Sequence, residues 1–251
     1  YQMCGLGEGR LAGDEGGGKT RELVAYPPVV HVAPNEKRDE RAVGRVMVLV
    51  LEHERLDIPF AHHPLPINVK QAMAAVGQTR MMQSWRNLLD VDCAQILLTH
   101  DDLQHRNRYL NIHNTLRTLL DHGVLPIVNE NDTVATAELK VGDNDNLAAL
   151  VATVVDADAL IICSDVDGLY TANPRTNSNA SLIPEVHLIT PDIYAMAGGS
   201  HHLIGTGGMT TKLQAASKAT SQGIDTLIIN GQKADSFAAL LAGKACGTLF
   251  H

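Results

Sequence analysis

From about residue 94 onward, short apolar runs alternate with stretches of helical periodicity, and no other property of the chain restricts its fold so tightly. Residues 95–99 (QILLT) read as a strand, 106–122 as a helix with apolar Leu110, Leu116, Leu119 and Leu120, and 124–128 as the next strand. The same logic gives a helix over 146–156, a strand over 159–163, a helix over 209–222 ended by Gly223, a strand over 226–229 and a helix over 235–241. Strands that are apolar on both faces and separated by helices predict a mainly parallel sheet covered on both sides, an α/β fold. The first 90 residues are less regular. There, 46–51 (VMVLVL) is a good strand, 36–43 is compatible with a charged helix, and the prolines between 59 and 66 mark turns or extended connections.

The chain has 251 residues, 45% of them hydrophobic, and 21 glycines, enough for one large domain spanning 1–251. A net charge of -8 argues against a nucleic-acid surface, and 4% aromatic content leaves few platforms for stacking bases. Cys4, Cys93, Cys163 and Cys246 are isolated, a pattern of reduced thiols rather than a disulfide framework or zinc site. No apolar run approaches the roughly 18 to 20 residues that cross a bilayer, and the N-terminus lacks the apolar segment of a secretory signal. These features predict a cytoplasmic protein. The pairs His62-His63 and His201-His202 lack the i, i+4 spacing of a helical metal pair and read as surface residues.

In such folds ligands collect at the carboxyl ends of strands. Three polar turns fall there: Asn129-Glu130-Asn131-Asp132, Ser164-Asp165-Val166-Asp167-Gly168 and Asn230-Gly231. A fourth cluster, Asp143-Asn144-Asp145-Asn146, comes just before the apolar helix LAALVATVV. Each Asp or Asn taken alone is well explained as a helix cap or turn residue. Two clusters flanking buried elements suit a ligand with an ammonium group, a bound metal, or a lysine that handles phosphate. A calcium loop is excluded, because Leu147 and Ala148 stand where it needs a ligand and a glycine.

Two glycine-rich segments compete as phosphate sites. Residues 13–20 (GDEGGGKT) satisfy the P-loop pattern, but no apolar strand precedes them, two carboxylates sit inside the loop, and Pro27-Pro28 cut short the following helix. A loose glycine-rich terminus describes them better. Residues 205–212 (GTGGMTTK) lead directly into a helix, so that glycine backbone, helix N-terminus and Lys212 can converge on an anion. The same segment also fits a flexible loop with a capped helix and a surface lysine.

Taken in order and spacing, NENDTVATAELKVGDNDNLAALV, ICSDVDGLYTANPR and GTGGMTTKLQAA resemble the glutamate 5-kinase branch of the amino acid kinase family. The resemblance runs from about Ile67 to GTLFH at the C-terminus. It implies a three-layer αβα sandwich around a mainly parallel sheet, and ATP- and Mg²⁺-dependent phosphorylation of the side-chain carboxylate of L-glutamate, the first step of proline synthesis. It also implies feedback inhibition by L-proline and a homo-oligomer, a dimer or tetramer, with no nucleic-acid or membrane partner. Residue by residue, it assigns Asp132 and Asn144 to glutamate and gives Asp145 the task of organising the phosphate-contacting lysines. Ser164 and Asp165 would lie along the nucleotide, and Thr206, Gly207, Gly208, Met209, Thr210, Thr211 and Lys212 would hold its phosphates, with Lys212 and Asp145 as the catalytic pair.

Residues 1–66 depart from the family. They lack its N-terminal Lys-x-Gly-Ser-Ser turn, and VMVLVL runs into Glu52-His53-Glu54-Arg55 where a Ser-Gly-Ala turn is expected. Acidic groups beside an anionic transfer site predict weak or no transfer by the chain as written. The chain is expected to lack the small C-terminal PUA domain of many family members. The alternatives are a degenerate, non-catalytic module that binds glutamate or proline, and a P-loop NTPase acting through Lys19.

Overall fold

A computed structural model describes residues 66–135, 144–198 and 208–251, together with the backbone of Leu49–Val50. The charged segment 36–43, the glycine-rich segment 13–20 and the pairs His62-His63 and His201-His202 lie outside the described residues. Of the apolar run 46–51, Leu49–Val50 is a strand, β1.

Three parallel strands form one sheet. They are β1, β2 (Cys93–Leu98) and β3 (Leu125–Glu130), in the order β1-β3-β2. A second sheet contains β4 (Ala159–Ser164), β5 (Glu185–Val186), β6 (Asp225–Asn230) and β7 (Thr248–Phe250), in the order β4-β6-β7-β5. All of its pairs are parallel except β6 with β7. Among the described residues the layer is therefore divided into two sheets, with one antiparallel pair.

Helices cover both faces. On one side α3 (Arg106–Asp121), α4 (Asn144–Val154), α5 (Pro191–Met196) and α6 (Met209–Thr220) build the main core with Val128, Leu160, Ile162, Ile228 and Phe250. On the other side Met81, Met82 and Trp85 of α1 (Ile67–Leu88) pack on Leu125 and Ile127. Phe237 and Leu240 of α7 (Ala234–Leu241) pack on Ile161, Cys163 and Ile229. The arrangement is the expected αβα sandwich, and β3 and β4 read as unbroken apolar runs because helices cover both their faces. Leu116 is fully buried, as the periodicity of its helix requires.

Helix α1 was not expected, since no residue in it is fully buried and its apolar side chains form no strong stripe. Good helix formers and Pro66 just before the first turn favour it. A short α2 (His100–Gln104) follows β2, closed by a capping box in which Thr99 Oγ1 accepts from the Asp102 amide and Asp102 accepts from the Thr99 amide.

Helices α4 and α6 lie against each other through alanines. Ala148, Ala149 and Ala152 of α4 and Ala215, Ala216 and Ala219 of α6 are all buried. Small side chains let the two backbones approach closely and bring their N-terminal turns together, at the carboxyl edge of the sheet. The register agrees: Leu98 is level with Glu130, and Ser164 with Asn230.

Candidate active site

Asp145 joins the two helices. Helix α4 begins at Asn144, two residues earlier than its apolar pattern indicates, so Asn144, Asp145 and Asn146 form its first turn rather than a loop before it. A carboxylate there is favoured by the positive end of the helix. Asp145 accepts two hydrogen bonds from Lys212 Nζ, at 2.9 and 3.1 Å, with both side chains about nine-tenths buried. Thr211 Oγ1 lies 3.0 Å from Asp145 Oδ2 and 2.8 Å from the Gly208 carbonyl, so one hydroxyl proton is shared between two acceptors. Beyond this centre, Lys218 Nζ donates to Asn146 Oδ1 at 2.7 Å and ties a second lysine of α6 to α4.

The N-cap of α6 is Gly208, at φ 101°, a left-handed backbone value that favours glycine, and it has no side chain with which to cap the first turn. Backbone N–H groups beside a lysine make an anion-binding end. Gly208, Met209 and Lys212 line a cleft of about 830 Å³ together with Ser164 and Asp165 from the end of β4. Residues 170–175 and residues 195–198, at the end of α5 and just beyond it, also line it. That volume lies within the usual range of small-molecule sites. Thr206 and Gly207 fall outside the described residues. Thr210 and Thr211 are on α6 but do not line the cleft.

Asp132 and Asn144 also stand away from this cleft. Asn129 and Glu130 are the last residues of β3 rather than a turn after it, and Asp132 follows them, buried. Asn144 Nδ2 donates to Asn129 Oδ1, and Asn129 Nδ2 donates to Gln78 Oε1, both at 3.0 Å. The result is a chain of three amides between α4, β3 and α1. Gln78 Nε2 is buried, and no hydrogen-bond acceptor for it exists among the described residues.

The structure adds polar groups that sequence reasoning did not assign. Asp167 accepts from Lys233 Nζ at 2.6 Å, Asn230 Nδ2 at 2.9 Å and Tyr170 OH at 3.2 Å. The hydrogen bonds from Lys233 and Asn230 hold its carboxyl below the usual carboxylate range. Arg175 pairs with Asp165. At the end of β6 Gly231 packs on Cys163, where an added Cβ would lie 2.7 Å from the cysteine Cβ. Asn230-Gly231 and the Ser164-to-Gly168 turn were visible as polar strand ends; their meeting across the register was not. Of the thiols, Cys93 and Cys246 are free, and burial raises the pKa of both.

These elements define a parallel αβα protein whose cleft opens at the carboxyl edge of the sheet, against the N-terminus of one helix. The chain belongs to the amino acid kinase family, whose sequence model matches residues 16–230. It is 50% identical over 250 residues to the glutamate 5-kinase of Idiomarina loihiensis, covering 98% of this chain and 66% of that protein. It is 58% identical over 187 residues to the glutamate 5-kinase of Salinibacter ruber, covering 74% of this chain and 50% of that protein. With the glutamate 5-kinase of Xanthomonas euvesicatoria pv. vesicatoria it shares 45% identity over 254 residues, 99% of this chain and 68% of the relative. The chain thus spans between half and about two thirds of the length of these relatives. Among solved structures, a UMP kinase from Bacillus anthracis aligns with TM-score 0.49 at 12% identity, covering 74% of this chain and 68% of that one. Among the described residues no helix is long and apolar enough to cross a membrane.

Proposed function

We propose that this chain carries the transfer site of a kinase that phosphorylates the side-chain carboxylate of L-glutamate with MgATP, giving L-glutamyl 5-phosphate. The observation that carries the reading is the Asp145–Lys212 pair, which holds a buried lysine between the glycine-capped α6 N-terminus and the amide-lined end of α4. The names of the most similar relatives supply the acceptor.

A carboxylate acceptor is already nucleophilic, so no general base is required and catalysis rests on alignment and charge neutralisation. Bound MgATP would supply the transferable phosphoryl group. The donor set among the described residues fits such an anion: backbone N–H groups behind a glycine N-cap, and an ammonium held at the cleft wall. Asp145 fixes the direction of Lys212 and balances its charge inside a poorly solvated site. In this reading Lys212 neutralises charge developing on the transferred group, and Ser164 and Asp165 lie along the nucleotide with Gly208 and Met209. Asp132 receives the substrate ammonium. Asn144, its amide oriented by Asn129, takes the substrate's α-carboxylate. Inhibition by L-proline and assembly into a homo-oligomer rest on the family resemblance, and proline titration and sedimentation test them.

The direct test is acyl phosphate formation trapped with hydroxylamine, with and without glutamate. Glutamate-dependent hydroxamate is expected, at a rate that Glu52 and Glu54 lower if they stand beside the transfer site, and falling at least about a hundredfold in Lys212→Ala, as for loss of one preorganised charge-stabilising group. Lys19→Ala should leave nucleotide binding intact. A folded, ATP-binding protein that makes no hydroxamate overturns the reading.

A further inference from the structure

Four exposed side chains far from the cleft converge on the outer edge of the second sheet. Val186 of β5 is paired with Phe250 of β7, and Phe250 with Thr226 of β6. All three are buried. Because side chains alternate along a strand, the neighbours of these residues point to the opposite, solvent face. Glu185 and His187 flank Val186, His251 follows Phe250, and Asp225 precedes Thr226. The amide of His251 donates to the Val186 carbonyl at 3.2 Å and carries the β5–β7 pairing one residue further. One rigid sheet therefore presents the four groups in a row.

Their geometry is that of metal ligands. His251 Nε2 lies 2.7 Å from Glu185 Oε1, and His187 Nε2 lies 3.8 Å from the same oxygen. One ligand atom from each of the three residues falls within 4.8 Å of the others. The two imidazoles stack with centroids 5.1 Å apart and 17° between planes. A tetrahedral cation with bonds of about 2.0–2.1 Å needs ligand atoms roughly 3.4 Å apart. The separations present bracket that value, and exposed side chains adjust by rotation. On its far side, His251 Nδ1 is 3.3 Å from Asp225 Oδ1. A carboxylate there accepts a hydrogen bond from Nδ1–H, so that a cation displacing the Nε2 proton from the Glu185 contact meets a lone pair facing Glu185 and His187, the usual outer support of a metal-bound histidine. Two imidazoles and one carboxylate suit a borderline transition cation and not Mg²⁺, which prefers an octahedral shell of oxygens.

We propose that Glu185, His187 and His251 form a binding site for a divalent transition cation of the Zn²⁺ class, oriented by Asp225 and separate from the phosphotransfer cleft. A bound ion would tie the two-residue edge strand β5 to β7 and leave one coordination position to water. The test is Zn²⁺ titration of the 251-residue chain, stripped of metal, at pH 7.5 without nucleotide, against a chromogenic chelator. One equivalent is expected to bind. His187→Ala and Glu185→Gln should each weaken binding at least tenfold, and Asp225→Asn by about ten- to a hundredfold. His122→Ala, at another exposed histidine, should change nothing. His187→Ala removes a solvent-facing ring and none of the hydrogen bonds of His251, so its metal-free melting curve should match the parent. Tetrahedral Co²⁺ absorption, lost in His187→Ala, gives a second readout. Absence of stoichiometric Zn²⁺ binding, or binding unchanged in both His187→Ala and Glu185→Gln, overturns the proposal.

Discussion

A double-mutant cycle on Asp145 and Lys212 tests the link between the two helices most directly. At 2.9 Å and an effective dielectric of about 20, the Coulomb attraction is about 6 kcal/mol. Desolvation of two side chains that are 8% and 12% exposed offsets part of it. Removing one partner should nevertheless destabilise the fold by about 3 kcal/mol in Asp145→Asn, because Lys212 keeps its charge in a buried position without an anion. Lys212→Met should cost less, about 2 kcal/mol, since Asp145 retains the Thr211 hydroxyl and the positive end of α4. The double variant should lose about 2–3 kcal/mol, well below the sum of the single losses, for no charge is then stranded. Equilibrium urea unfolding at pH 7 without nucleotide measures all three, read as midpoint shifts at constant slope. Single losses that add within about 0.5 kcal/mol would show that the pair is not coupled and refute the reasoning.

Asp156 ends α4 in the left-handed region, at φ 52°, while Ala157 N bonds back to the Ala152 carbonyl. Asp156→Gly should stabilise by about 0.5–1 kcal/mol in urea unfolding, because glycine adopts that backbone without strain. At Gly247, φ 73°, a Cβ would stand 2.1 Å from the Ile228 carbonyl oxygen, so Gly247→Ala should lower Tm and loosen the β6–β7 pair, read by amide exchange of Ile228 and Thr248. The Glu185 hydrogen bond, followed by that of Asp225, raises the His251 pKa above 6.5, with the exposed His187 ring stacked beside it. A raised folded-state value contributes stability below the unfolded pKa, and that stability is lost as pH rises through the folded value. Urea midpoints followed upward from pH 6 should therefore show a downward component that His251→Gln removes. Asp167 has the opposite sign: its lowered pKa gives stability present above about pH 4 and lost on acidification, and Lys233→Ala should flatten that limb.

The strands of the centre were legible because helices bury both of their faces, so residues 124–128 and 159–163 had to be continuous apolar runs. The start of α4 was not, because Asn144 and Asp145 are polar and only their position at a helix terminus near Lys212 makes them helical. Apolar periodicity cannot see a first turn built of polar side chains. The same limit hid α1, which covers its sheet with three partly buried residues, Met81, Met82 and Trp85, and shows no strong stripe. The shortest strands posed a different problem. β5 and β7 have two and three residues, too few for any period; β7 exists because β6 supplies a template to pair with, and β5 because β7 does. Their register brings Glu185 beside His251 from 66 residues away in sequence. A histidine scan that looks for i, i+4 spacing passes over such a pair, since what joins the groups is the alternation of a sheet applied across three strands. Lys212, the lysine proposed to handle phosphate, was legible for the opposite reason: it stands in the first turn after a glycine-rich segment of sequence, so its signal is local. Sites built along one segment can be read from its residues, whereas sites built across strands require the register first.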